Sequence, residues 1–243
     1  MTSVVRAPQV VAALIELVPA LLFVTVARTG SRYVRGRARR WLPHPGWLLA
    51  LHYALFAVFR VTPLELQQAP PPILRLLQDG SLVVLVLGLA GFRHLQRVTG
   101  AEGVPSFGWR ARIWGVAVAV AAFVVLVPRF APLPGEARVT MMSIVLGAYC
   151  VAMGVVMLRV LRREGRPGRW RPGNVGGMSR RGLAFVAVGV LLLVALFTTQ
   201  VALGTFPAPM VHAGVGVAFA VPVLLADLGQ SVRTVMCRYF VVG

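Results

Sequence analysis

The sequence predicts an all-α polytopic membrane helix bundle of about seven transmembrane helices, with the N-terminus outside and the C-terminus in the cytoplasm. Three observations carry this expectation. The 243 residues are 58% hydrophobic and 13% charged, with a mean hydropathy of +0.78, which is more apolar surface than a water-soluble chain of this length can hide. The apolar residues come in runs that approach the roughly 20 helical residues needed to cross a hydrocarbon core about 30 Å thick. The basic residues, 25 arginines and no lysine against seven acids, collect in alternate loops between those runs, the distribution that marks cytoplasmic loops.

The first span runs from about Pro8 to Ala27. Arg6 precedes it and six arginines follow it between Arg28 and Gly46, an asymmetry expected of a retained first helix with its N-terminus outside and not of a cleaved leader. The second span runs from Trp47, an interfacial aromatic, to about Thr62, with Arg60 near its far end where the stem can snorkel to the headgroups. Only Ser81 to Phe92 is cleanly apolar in the third span, so it must start earlier, toward Pro72, and end near Arg97. That extension puts Arg75 and Asp79 four residues apart on one helical face, where they can pair. The fourth span covers about Ile113 to Val127, and the fifth about Val139 to Val160. The longest basic loop follows, from Arg159 to Arg181. A sixth span from Gly182 to about Thr205 and a seventh from Met210 to Ala226 complete the bundle, with Asp227 closing the last.

With these assignments 20 arginines fall on the inner side and five (Arg6, Arg60, Arg75, Arg129 and Arg138) on the outer side. Adding or removing one span would put an Arg-rich loop on the wrong face, which supports an odd count. The expected division is a transmembrane domain over 1–228 and a short cytoplasmic tail over 229–243, in a multi-pass protein of the cell (inner) membrane. Loop arginines of this kind meet lipid headgroups, so the bilayer is the expected partner and nucleic acid is not. Cys150, inside an apolar run, and Cys237, near the C-terminus, form neither a CxxC pair nor a disulfide framework. Small residues four apart (Gly214 with Ala218, Gly216 with Ala220, Ala148 with Ala152) would let helices approach closely.

Glu16 is the residue to single out, because an acid within an apolar span costs about 2.5–3.5 kcal/mol on insertion scales and cannot face lipid cheaply. It lies roughly 12 Å inside Pro8 at 1.5 Å per residue. It is either a ligand, ion or proton site, or an acid that locks packing by protonation or by pairing with arginine. Arg60, Gln200 with Thr198 and Thr199, His212 and the Arg75–Asp79 pair fall at similar outer depths and would line one outward-facing pocket with Glu16 if their faces converge. Of the four histidines, only His52, in the inner half of its span, and His94, at the inner edge, come near the shared depth that a bis-histidine haem needs. No phosphate-loop motif, no H-E-x-x-H and no lysine for a Schiff base is present. The Gly-rich stretch from Gly165 to Gly182 has the composition of a phosphate cradle but no strand and helix around it. No enzyme activity, metal or cofactor is therefore expected.

The count of seven helices, the outside N-terminus and the run Val221 to Arg238 (VPVLLADLGQSVRTVMCR) resemble the membrane-embedded seven-helix sensory region of bacterial sensor histidine kinases. The run is similar in style to the last membrane helix and exit segment of those proteins. The 243 residues contain neither a phosphoacceptor helix nor an ATP-binding domain, so the resemblance implies a receptor-like sensory module without its own catalytic domain. It also implies a cytoplasmic signalling partner, and it leaves a homo-oligomer open. The alternatives are a small transporter or permease component that uses Glu16 to couple protons or ions, and a b-type haem redox protein that uses His52 and His94.

Overall fold

The computed structural model describes residues 7–31, 44–63, 66, 71–99, 106–130, 134–164, 180–203 and 208–240. Among them every predicted apolar run is an α-helix and there is no strand: α1 (Ala7–Ser31), α2 (Gly46–Val61), α3 (Pro72–Thr99), α4 (Phe107–Phe130), α5 (Gly135–Glu164), α6 (Arg180–Leu203) and α7 (Pro209–Phe240). Six of these are long and apolar enough to cross a membrane. The exception is α2, whose 16 residues reach only about 24 Å at 1.5 Å per residue. The loop residues between Ser31 and His44 and those from 165 to 179, with eight of the loop arginines, lie outside the described residues.

The helices pack in a ring ordered α4, α3, α2, α1, α7, α6, α5, with the broadest interfaces at α1–α2, α5–α6 and α1–α7. The ring closes weakly between α5 and α4, and α3 also reaches inward to α5 and α6. Phe23 of α1, Phe92 of α3 and Phe219 of α7 meet near the centre, with ring centroids of Phe219 5.4 Å from Phe23 and 6.1 Å from Phe92. Leu14 and Leu21 on the outward face of α1 stand 57% and 67% exposed. A helix that leaves such residues outside while burying Glu16 presents its apolar face to lipid.

Two differences from the sequence expectation have simple causes. The seventh helix does not close at Asp227 but continues to Phe240, so the boundary drawn between 228 and 229 is not a helix end. A charge ends burial in lipid without ending a helix, and the segment from Asp227 to Phe240 contains no proline to break the backbone ladder. Of the small-residue pairs, Gly216 and Ala220 are buried, whereas Gly214, Ala218, Ala148 and Ala152 are exposed. At Gly216 a Cβ would fall 2.5 Å from Tyr53 Cζ and 2.7 Å from Pro19 Cβ, so only glycine lets α1, α2 and α7 close here.

At the other end of α2, His44 sits in the connection ahead of the helix. Its Nδ1 accepts the Gly46 N–H at 3.1 Å, and its Nε2 is buried against Gly30 with no hydrogen-bond partner among the described residues. Burial pushes this imidazole down from 6.5 to about 4. The depressed value means that the unfolded chain takes up the proton first as pH falls. Stability contributed by neutral His44 is therefore whole above 6.5 and drains away toward 4. Thermal unfolding followed across that window should show a falling midpoint in the wild type, and His44→Gln should flatten the decline.

Candidate functional site

Each of the first three helices brings one polar group to the same level, about 13 Å from the end where α1, α3 and α5 begin. Counting along the helices, Glu16 is nine residues into α1, His52 nine residues from the end of α2, and Ser81 nine residues into α3. The shortness of α2 explains why His52, placed in the inner half by its position in the sequence, stands at the level of Glu16. His212 comes from the first turn of α7, which begins deeper in the bundle than α1, as the contact of Gly216 with Pro19 also requires.

These groups form a continuous row of hydrogen bonds. Glu16 Oε2 lies 2.7 Å from His212 Nδ1, His212 Nε2 lies 3.3 Å from His52 Nε2, and His52 Nδ1 lies 2.9 Å from the carbonyl oxygen of Ser81. Arg60 Nε stands 3.6 Å from Glu16 Oε1, an ion pair beyond hydrogen-bond reach. The row is sealed: Glu16 is 0% exposed, His52 1% and His212 3%. Phe56 and Tyr53 enclose the histidines, their ring centroids 4.4 and 4.9 Å from that of His212, and the Arg60 guanidinium lies over the Phe56 ring.

Reading all three contacts as hydrogen bonds constrains the protons the row can hold. A carbonyl oxygen only accepts, so His52 Nδ1 carries a hydrogen and donates to Ser81. If His52 is neutral, its Nε2 is a lone pair, and His212 must donate through Nε2–H. His212 Nδ1 and Glu16 Oε2 then share one further hydrogen, held as Glu16 carboxylic acid or as His212 imidazolium. Moving that proton one more step makes His52 the cation. In all three arrangements the trio holds one proton more than a carboxylate with two neutral imidazoles, and it is electrically neutral beside Arg60.

Removing this proton breaks the row. His212 would then have a single N–H, and would present a lone pair either to the Glu16 carboxylate at 2.7 Å or to the His52 lone pair at 3.3 Å. Two acceptors in contact in a dry interior repel, and each loses its bond. The α7 residue must then turn away from α1 or from α2.

Beside the histidines lies a cavity with about 20 Å³ of room for the centre of a water molecule. Its polar lining is His52, His212, Ser143 of α5 and Gln200 of α6, and the remainder is apolar, including Leu85, Met142 and Leu193. Ser143 Oγ donates to Gln200 Oε1 at 2.8 Å.

Of the residues singled out in the sequence, the structure joins Glu16, Arg60 and His212 directly and brings Gln200 to the same cavity. Thr198 and Thr199 are exposed and donate to carbonyls of their own helix, Val194 and Ala195. Asp79, four residues from Arg75 on α3, is buried and accepts a 2.9 Å bond from Arg138 of α5. His94 lies thirteen residues along α3 from Ser81, about 20 Å at 1.5 Å per residue, beside Trp109 and Trp114. It therefore cannot share a haem with His52, whose two nitrogens are occupied by Ser81 and His212. The same single-file geometry gives no chelate, and no group of three metal-binding side chains occurs among the described residues. His52 is hydrogen-bonded within the bundle, as its place in an apolar span suggested, whereas the contributions of Ser81 and Ser143 were not foreseen. Ser143, a hydroxyl within an apolar run, was the visible signal for its side of the cavity.

Fold and site together define the class: an all-helical chain with the apolar helices of a multi-pass membrane protein and a buried carboxylate–histidine row between its first, second and seventh helices. No protein-family model matches the sequence, and no curated protein or solved structure is significantly similar to it.

Proposed function

We propose that this chain is a receptor-like signalling module of the cell membrane, with the proton on the Glu16–His212–His52 row as its input and the position of α7 as its output. The observation that carries this reading is the buried file of contacts from Glu16 Oε2 to His212 Nδ1 at 2.7 Å and from His212 Nε2 to His52 Nε2 at 3.3 Å, which can all be hydrogen bonds at once only with one extra proton. Losing that proton forces His212, and with it the start of α7, away from a neighbour. The same helix runs on from His212 to Phe240, and Pro222 within it leaves one carbonyl without its ladder partner, a natural point of flexure. With α2 counted as a seventh span and Arg60 turned inward to Glu16 instead of reaching the headgroups, the arginine distribution orients the row toward the outside and the end of α7 toward the cytoplasm. A cytoplasmic partner would meet the helix there.

A proton-coupled permease is the second reading, favoured by the buried intramembrane carboxylate itself. The blind end of the row weighs against it. Beyond His52 the row stops at a backbone carbonyl, which takes no proton in transit, and the Phe23–Phe92–Phe219 packing fills the bundle centre.

The test uses the full chain with its cysteines replaced, spin-labelled at Thr29→Cys on α1 and Gly229→Cys on α7 and reconstituted in liposomes. Between about pH 5 and pH 8, where histidine-linked switches operate, the inter-label distance should shift in the wild-type background and stay fixed in Glu16→Gln. A Glu16-dependent proton flux across the liposome membrane would replace the receptor reading with the permease. An unchanged distance without flux would leave the row a packing device.

A further inference from the structure

The remaining question is how a proton reaches a row sealed from solvent. The Glu16 end is guarded by the Arg60 cation at 3.6 Å, which repels an approaching hydronium in a low-dielectric setting. The other flank of the histidines opens into the cavity, whose mostly apolar lining includes the uncharged Ser143 and Gln200. Its size exceeds the roughly 10–15 Å³ that one water needs by this measure, and a buried water wants two to four polar partners. The cavity supplies four polar side chains, two on each side.

We propose that this cavity is a one-water site and that its water is the proton donor to the histidine pair, taking its own replacement proton from the Ser143–Gln200 side. This rests on the proton-input reading above. In the deprotonated row the two facing Nε2 lone pairs have no hydrogen between them, and a water can donate one O–H to an imidazole while its oxygen accepts from the Gln200 amide. A proton that arrives as hydronium passes to this water. The water hands one of its hydrogens to the Nε2 lone pair and remains water, so one proton enters the row and one hydronium becomes water outside. The Nε2–Nε2 separation of 3.3 Å is at the long end for a hydrogen bond, as suits a contact that trades between direct and water-bridged forms. The ionisable groups around the pair are Glu16 of α1, and Tyr53 and Arg60 of α2. Asp79 of α3 and Arg138 of α5 pair with each other nearer the helix starts, and α6 contributes only neutral Gln200.

Infrared difference spectra of the reconstituted full chain, taken between acidic and neutral pH in ordinary and in ¹⁸O-labelled water, test this. The expected result is a carboxyl band that Glu16→Gln removes, accompanied by a sharp O–H stretch that shifts with ¹⁸O. Ser143→Ala combined with Gln200→Leu should abolish the O–H band and slow proton uptake after a pH jump by roughly tenfold or more while the carboxyl band still develops. A wild-type spectrum with the carboxyl band and no ¹⁸O-sensitive stretch overturns the water site and leaves the proton-input reading standing. A spectrum with neither a carboxyl band nor a histidine-ring band that responds to pH and is lost in Glu16→Gln overturns both. The wild-type measurement needs no variant to fold.

Discussion

Glu16→Leu is expected to destabilise the bundle by about 3–5 kcal/mol, the usual cost of leaving a buried ionic or hydrogen-bonded partner uncompensated, whereas Glu16→Gln is expected to cost less than about 1 kcal/mol. Leucine removes the partner of His212 Nδ1 and sets an apolar side chain against the Arg60 guanidinium, whose side chain is 11% exposed. Glutamine does something different. Its amide N–H can donate to His212 Nδ1, which keeps His212 neutral with Nε2–H directed at His52 and the His52 N–H directed at Ser81. The row stays closed and has no removable proton. Thermal or denaturant unfolding in a fixed detergent should therefore separate the two variants, with Glu16→Gln near the wild type. A large loss of stability in Glu16→Gln would mean that a negative charge, and not the hydrogen-bond row, holds α1, α2 and α7 together.

The second large effect is expected where α6 meets α7. A Cβ on Gly189 would run into the Phe219 ring, which has almost no room to retreat because Phe23 and Phe92 flank it. Gly189→Ala should accordingly cost about 1–3 kcal/mol by overpacking. Phe219→Ala should cost a few kcal/mol through lost packing contacts, less than in a water-soluble core because the unfolded side chain would sit in lipid as apolar as the core itself. The two should not add. In the Phe219→Ala background the extra methyl at position 189 occupies part of the space the ring vacated, so the penalty of Gly189→Ala should vanish or reverse in a double-mutant cycle. Additive losses would show that the two helices do not rest on this contact.

Periodicity and charge made the helices legible. Each apolar run became a helix, and even the third span, apolar only from Ser81, begins at the Pro72 that length alone required. Glu16 was legible too, since an acid among leucines and valines is visible without coordinates. Less could be read at the boundaries and between the helices. The continuation of α7 past Asp227 was missed because hydropathy reports lipid exposure while helix continuity depends on backbone geometry. His52 does lie in the inner half of its helix, and what could not be read was that a helix of only 16 residues brings that half to the level of Glu16.

The sequence by itself determined that the chain must bury its apolar runs as helices, which loops carry the arginines, and that Glu16, Arg60, Gln200 and His212 stand at comparable depth. Those properties follow from the order of residues along one chain and the rise of one helix. Only the tertiary structure decided which way each helix face turns. That rotation brought His52 onto His212, put Ser81 at the blind end of the row, sent Thr198 and Thr199 outward, and set Arg138 against Asp79. Rotation about a helix axis is set by packing against neighbours, here by a glycine at 216 under Tyr53 and another at 189 under Phe219. Contacts of that kind join residues as much as 196 positions apart, and no local pattern in the sequence records them.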